Sequence, residues 1–314
     1  MKKKYLVVLA GSPRGGVDTW KSLFKYVIDY LNADLAICTT DNFIQENILF
    51  DRAKYIWIMK NPKSFDNYYK KYFSGNWREY LIKGKELGLY ESGKIHFAFK
   101  DFILRNYIEF LEKYEFIIYS RFDQYYVDYH PDFEDDKIFI PKGEDYFGIC
   151  DRHVVFKSNE ARKYLSIVDY IDSKEAMLEL PKFLNCESVY KQHLNSNGLL
   201  EDVIRFDRNS FTVSLKNEHT NWRVPNLKVF LTKNLMIKYP DEFIDALKNK
   251  FSNNNKFIVS FRDRKLNLLY FYLILRRKIG AKIYKKNQKF ICSEHGDYFQ
   301  SERYKDLKTC PECN

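Results

Sequence analysis

Residues 5–16 read YLVVLAGSPRGG: six apolar residues, Tyr5 to Ala10, run straight into a turn cluster, Gly11 to Gly16. An apolar run this short, rich in aliphatic side chains and closed by turn formers, predicts a strand buried on both faces. Trp20, Leu23, Phe24, Val27, Ile28 and Leu31 then recur at helical spacing, with Asp18 or Thr19 as candidate caps. Asp34 to Thr39 and Tyr55 to Met59 are two more strand-like runs. Strand, glycine turn, helix, strand is the opening of a nucleotide-binding α/β domain.

The pattern continues in the same alternation. Asn61 to Leu89 is polar and aromatic, and reads as short helices and loops. Gly93 to Tyr114 carries Ile95, Phe99, Phe102, Ile103, Tyr107, Phe110 and Leu111 at helical spacing. Phe116 to Tyr119 reads as a buried strand that ends at Ser120-Arg121-Phe122-Asp123. Lys137 to Pro141 and His153 to Phe156 read as strands, and Ala161 to Ile171 and Glu187 to Leu194 as helices. Arg205 to Leu215 suggests a late strand or hairpin, and Asp241 to Phe251 and Leu266 to Arg277 suggest further helices.

Composition bounds the classes. Of 314 residues, 45% are hydrophobic and 30% charged, enough for a full core and against bulk disorder. No apolar run reaches the ~18 residues of a membrane span. The longest, Leu266 to Leu275, contains Asn267 and stops at Arg276-Arg277-Lys278. Lys2-Lys3-Lys4 precedes an apolar stretch too short for a signal peptide. Six cysteines do not make a disulfide scaffold. The expectation is a soluble, cytoplasmic chain without a transmembrane segment.

The net charge of +10 is unevenly placed. Residues 224–314 hold 19 Lys and Arg against 9 Asp and Glu, while residues 1–223 hold 33 of each. A neutral part suited to chemistry is thus followed by a basic part suited to phosphates or another anionic surface.

Two stretches carry chemistry. Asp123 lies just past an apolar strand, where ligands bind in open α/β sheets, and a carboxylate there can hold a divalent ion against a diphosphate. An Asp in that place is also a common turn former. Residues 141–153, PKGEDYFGICDRH, pack three carboxylates, an arginine, a histidine and two glycines between two strands. Asp145 and Asp151, with Glu144 behind them, are candidate bases for a hydroxyl. Arg152 can grip a phosphate in bidentate fashion. His153 is a candidate ligand or phosphate donor, and equally a structural histidine at the start of a strand.

These residues resemble the GT-A-type glycosyltransferase family of chloroviruses and other large DNA viruses, which glycosylates capsid glycans. The resemblance rests on GSPRGG, TWKSL and NADLAICT, and on Gly75-Asn76-Trp77-Arg78 and Glu91-Ser92-Gly93. It continues through Ser120 to Pro131, Ile138 to Val155, Asn185-Cys186-Glu187-Ser188 and Asn221-Trp222-Arg223. It covers residues 1–224 and implies a Rossmann-like GT-A domain with a mostly parallel sheet and flanking helices. The implied reaction moves a sugar from a nucleotide-diphosphate donor to a glycan or glycoprotein hydroxyl, usually with Mn or Mg. Carried over, Gly11 and Arg14 lie near the nucleotide, and Asp123 is the last carboxylate of a DxD-like motif. The first position of that motif is here Arg121, which can touch the diphosphate or brace Asp123. If the chain is viral, its compartment is the host cytoplasm.

Residues 225–281 read as a basic helical linker, and 282–314 as a small module. Cys292, His295, Cys310 and Cys313 have C-x2-H-x14-C-x2-C spacing, which can close a structural tetrahedral Zn site. So short a module would draw its folding energy from the metal. It resembles the CxxHG…CPxC zinc ribbon at the ends of many large-virus proteins. With Arg276-Arg277-Lys278, Lys282, Lys285, Lys286 and Lys289 beside it, the tail suits a nucleic-acid or protein partner. The alternative to the transferase is therefore a nucleic-acid-binding protein with an idle or adapted α/β domain.

Overall fold

The computed structural model describes residues 3–78, 93–180, 185–215, 218, 229–230, 235–239, 242–243, 246–247, 290–292 and 296–298. They fall into two compact units, Met1–Ser210 and Phe211–Asn314.

The first unit is a mixed α/β fold. Its strands are β1 (Lys3–Ala10), β2 (Asp34–Thr40), β3 (Tyr55–Met59), β4 (Tyr114–Ser120), the short β5 (Gln124–Tyr126), β6 (Ile138–Pro141), β7 (His153–Lys157) and β8 (Val203–Phe206). Seven of them form one sheet in the order β3-β2-β1-β4-β7-β6-β8. All neighbours are parallel except those of β7, which runs antiparallel to β4 and β6. The carboxyl ends of six strands therefore share one edge with the start of β7.

The apolar run that opens the chain is explained by what covers it. Leu6, Val8 and Ala10 face one core with the helix Lys94–Leu111 and the helices of residues 161–171. Tyr5, Val7 and Leu9 face a second core with the helix Gly16–Leu23 and its π-helical extension Phe24–Ile28. Successive side chains point to opposite faces, so a strand covered on both sides must be apolar throughout. β2, with all seven residues buried, follows the same rule.

Three local details differ from the sequence pattern. Asp18 and Thr19 lie inside the first helix; its N-cap is Gly15, and Thr19 Oγ1 donates back to Gly15 O at 2.8 Å. Residues 161–171 form two helices that break at Ser166, where ψ is 24° and the side chain donates to Lys163 O. Arg205 to Leu215 is neither one strand nor a hairpin. Its first part belongs to β8, which runs parallel beside β6 with Arg205 opposite Ile140; its second part is β9 (Ser210–Leu215).

In the second unit β9 pairs antiparallel with β11 (Leu235–Ile237), and β11 with β10 (Val229–Phe230). Phe211 meets the ring of Phe243 edge-on at 5.2 Å. β12 (Phe290–Cys292) and β13 (Gly296–Tyr298) form an antiparallel pair with Cys292 opposite Gly296. His295, Cys310 and Cys313 lie outside the described residues, as do the basic cluster at 276–289 and most of the helices expected at 241–251 and 266–277. Among the described residues no helix is long and apolar enough to cross a membrane.

Candidate active site

Strand order reverses between β1 and β4: the chain leaves β1 for β2 and β3 on one side, then returns to β4 on the other. Such a switch point splays the connections that follow the two strands and opens a crevice at the carboxyl edge. The loop after β1 turns on Gly11, whose φ of 121° is costly for any residue with a Cβ. Gly11 N donates to Cys38 O at 3.0 Å, and Trp20 Nε1 donates to Arg14 O at 3.1 Å, while the Arg14 side chain is exposed.

The loop after β4 carries Arg121 and Asp123 as a fork-on-fork pair. Arg121 Nε donates to Asp123 Oδ1 at 3.2 Å, and Nη2 donates to Oδ2 at 3.0 Å. Because β7 starts beside the end of β4, Asp151 and Arg152 arrive next to them, and Arg121 N donates to Arg152 O at 3.2 Å.

Arg152 is the hub of a buried network. Its Nε lies 2.7 Å from Glu144 Oε2, its Nη1 donates to Asp151 Oδ1 at 3.2 Å, and its Nη2 to Glu187 Oε1 at 2.9 Å. The other Glu144 oxygen receives Arg208. Asp145 instead turns to Arg205, at 2.8 and 3.1 Å, and accepts from Cys150 N at 2.9 Å. Of the three candidate bases, Glu144 is thus held by two guanidiniums and Asp145 by one. Asp151 uses Oδ1 alone, and among the described residues no second donor reaches it.

Charge separates the acids. Burial pushes the Asp151 carboxyl up, but Arg152, followed by His96, Arg121 and Lys100, holds it below the ordinary carboxylate range. Burial and the Asp151 charge raise Glu187. Burial pulls His96 down to about 3, helped by the Arg121 charge. It pulls Lys100 down to about 8, with its ammonium 4.2 to 5.5 Å from the ring centres of Tyr119, Tyr164 and Tyr190.

The connection from β6 to β7 is held under strain. Glu144, Tyr146 and Phe147 all have left-handed backbone, at φ 54°, 44° and 71°. Each such residue costs on the order of 1 kcal/mol, a cost that persists where surrounding structure over-determines it and that clusters at functional sites. What holds the loop is helix Cys186–Ser196. Its cap Asn185 accepts from Ser188 N at 2.8 Å and donates to Tyr146 O, and Glu187 O accepts from Ile149 N at 3.2 Å.

The sequence-derived candidates divide accordingly. Arg121, Asp123, Asp151 and Arg152 come together at the carboxyl edge of the sheet, and Gly11 and Arg14 lie on the β1 loop of the same edge. Glu144 and Asp145 sit in the adjoining network. His153 faces the interior, where Tyr126 and Ser120 lie 3.2 and 3.1 Å from Nδ1 and His130 Nε2 lies 2.9 Å from Nε2. His130 Nδ1 must donate to Pro131 O at 2.7 Å, so its Nε2 accepts and His153 Nε2 donates. Both ring nitrogens of His153 are therefore committed, and it has none to offer a ligand. The Gly75-Asn76-Trp77-Arg78 motif wraps around Asp172, which accepts from the backbone N–H of Ser74, Gly75 and Trp77.

Sequence reading missed His96, Lys100, Glu187, Arg205 and Arg208. His96 and Lys100 are four apart, hence on one helix face, and that spacing was the available signal. Glu187 stood in a quoted motif without a role.

The interior histidines set a pH dependence. Burial lowers His130 to about 4 and His193 to about 3, and pushes His153 well below its ordinary value. In the unfolded chain each takes a proton near pH 6.5, so the unfolded state binds more protons between there and the folded values. Their stabilising contribution is complete above about pH 6.5 and falls as the pH drops toward 4, by up to about 1.4 kcal/mol per unit for each histidine. Urea midpoints at pH 7.5 and 5 should differ clearly; equal midpoints would contradict the neutral interior pair.

The metal implied by the resemblance meets an unsuitable donor set. Both Asp123 oxygens are taken by Arg121. The group of potential ligands found among the described residues is Asp151, Cys186 and Glu187, with ligand atoms within 4.8 Å of one another. Arg152 already binds both of those carboxylates, and the soft thiol of half-buried Cys186 is a poor ligand for Mg or Mn. Comparison with known proteins adds no assignment: no family model and no curated protein matches the chain.

Proposed function

We propose that the first unit is a GT-A-type glycosyltransferase that moves a sugar from a nucleotide diphosphate to a glycan or glycoprotein hydroxyl. The observation that carries this reading is the gathering of Arg121, Asp123, Asp151 and Arg152 at the switch point between β1 and β4, beside the Gly11 loop. In the reaction the acceptor oxygen bonds to the anomeric carbon as the carbon–oxygen bond to the phosphate breaks. The bonding pair goes to the β-phosphate oxygen, and the hydroxyl proton goes to a carboxylate. Asp151 suits that last role because it stays ionised and keeps one oxygen clear of arginine. The Arg121 guanidinium, fixed in advance by Asp123, stabilises the charge that develops on the departing diphosphate, whereas Arg152, expected from sequence to grip a phosphate, is committed to three buried carboxylates.

Binding of UDP-glucose, GDP-mannose and dTDP-glucose, followed by thermal shift, tests the reading. One of these donors should raise the wild-type unfolding temperature, and Asp123→Ala should lose the effect.

A further inference from the structure

Resting on the transferase reading, we infer that the site works without a divalent cation, and that Arg121 supplies from the protein the positive charge a metal would bring to Asp123. A cation at Asp123 would have to displace a bidentate pair from a carboxylate whose side chain is 7% exposed. Asp123 belongs to no group of three or more potential ligands among the described residues, so a cation there would lack a protein cage. It would also free Arg121 beside Arg152, and these two guanidiniums already repel one another. Each step is unfavourable, and together they place two arginines and a doubly charged ion in one spot.

The same geometry favours an anion. Arg121 has five N–H donors and uses two on Asp123, which leaves three. Its side chain keeps 20% of its surface exposed. Asp123 fixes the plane of the fork, and a planar fork held in place matches two phosphate oxygens. When the sugar–phosphate bond breaks, the electron pair arriving on the β-phosphate oxygen meets a charge that is already there. Asp123 is then a positioning residue for Arg121 rather than a metal ligand.

The experiment is calorimetric binding of the donor that gives the largest thermal shift, in EDTA and in Mn. The inference expects wild-type affinities equal within about twofold in the two conditions. It expects Arg121→Lys, which keeps the charge and loses the fork, to weaken binding about tenfold or more in EDTA, with no recovery in Mn. Binding by the wild type that requires Mn would overturn the inference and leave the transferase reading standing. Binding in neither condition would overturn both. If Arg121→Lys fails to fold, the wild-type comparison still decides.

Discussion

Gly148→Ala is expected to destabilise the protein by about 3–5 kcal/mol and to remove donor binding with it. A Cβ at this position would lie 2.1 Å from both C and O of Glu187 and 2.3 Å from Ser188 N. These are backbone atoms in the first turn of a capped helix, so no side-chain rotation relieves the overlap. To make room, the β6–β7 connection must lift off the helix. That movement breaks the bond from Ile149 N to Glu187 O, and it strains the 2.9 Å bond from Arg152 to Glu187. It also releases the loop that keeps Glu144, Tyr146 and Phe147 in left-handed backbone. The urea midpoint measures the effect; a change below about 0.5 kcal/mol would mean that the loop and helix are not in contact as described.

Arg152→Met is the second large effect. One guanidinium serves three buried carboxylates, and its side chain is 9% exposed. Methionine fills a similar volume without charge, which takes one of two guanidiniums from Glu144 and the nearest cation from Asp151 and Glu187. Removing one partner of a buried pair costs about 3–5 kcal/mol because the remaining charge is uncompensated. The loss should be greatest at neutral pH. It should shrink as the pH falls toward 5, because the uncompensated acids, their pKa values now raised, take up protons. Glu187→Gln provides the contrast: burial already raises that carboxyl, so neutralising it should cost much less. Equal losses for the two variants, independent of pH, would show that packing rather than charge sets the cost.

The frame of the fold was legible because it is written in local patterns. β1 to β4 and the helix Lys94–Leu111 announce themselves by apolar continuity or helical spacing, and the Gly11 turn by composition. The crevice loops were legible by position, just past the ends of strands. What was not legible is which charge meets which. Arg205 and Arg208 lie some sixty residues beyond the Glu144 and Asp145 that they hold, and only the placement of β8 beside β6 brings them together. Glu144 therefore resembled a base in sequence and is a clamped carboxylate in the structure. Ser166 was lost for the opposite reason: the apolar spacing continues across it while the helix breaks. Of the zinc spacing of the tail only Cys292 falls within the described residues, and the site stands on the sequence alone.

The most direct measurement is equilibrium binding of UDP-glucose, GDP-mannose and dTDP-glucose to the full chain and to Asp123→Ala. The account predicts that one donor binds the wild type saturably, with affinity at least tenfold weaker in the variant, about 1.4 kcal/mol. Failure of all three to bind, or equal binding by a folded Asp123→Ala protein, would contradict it.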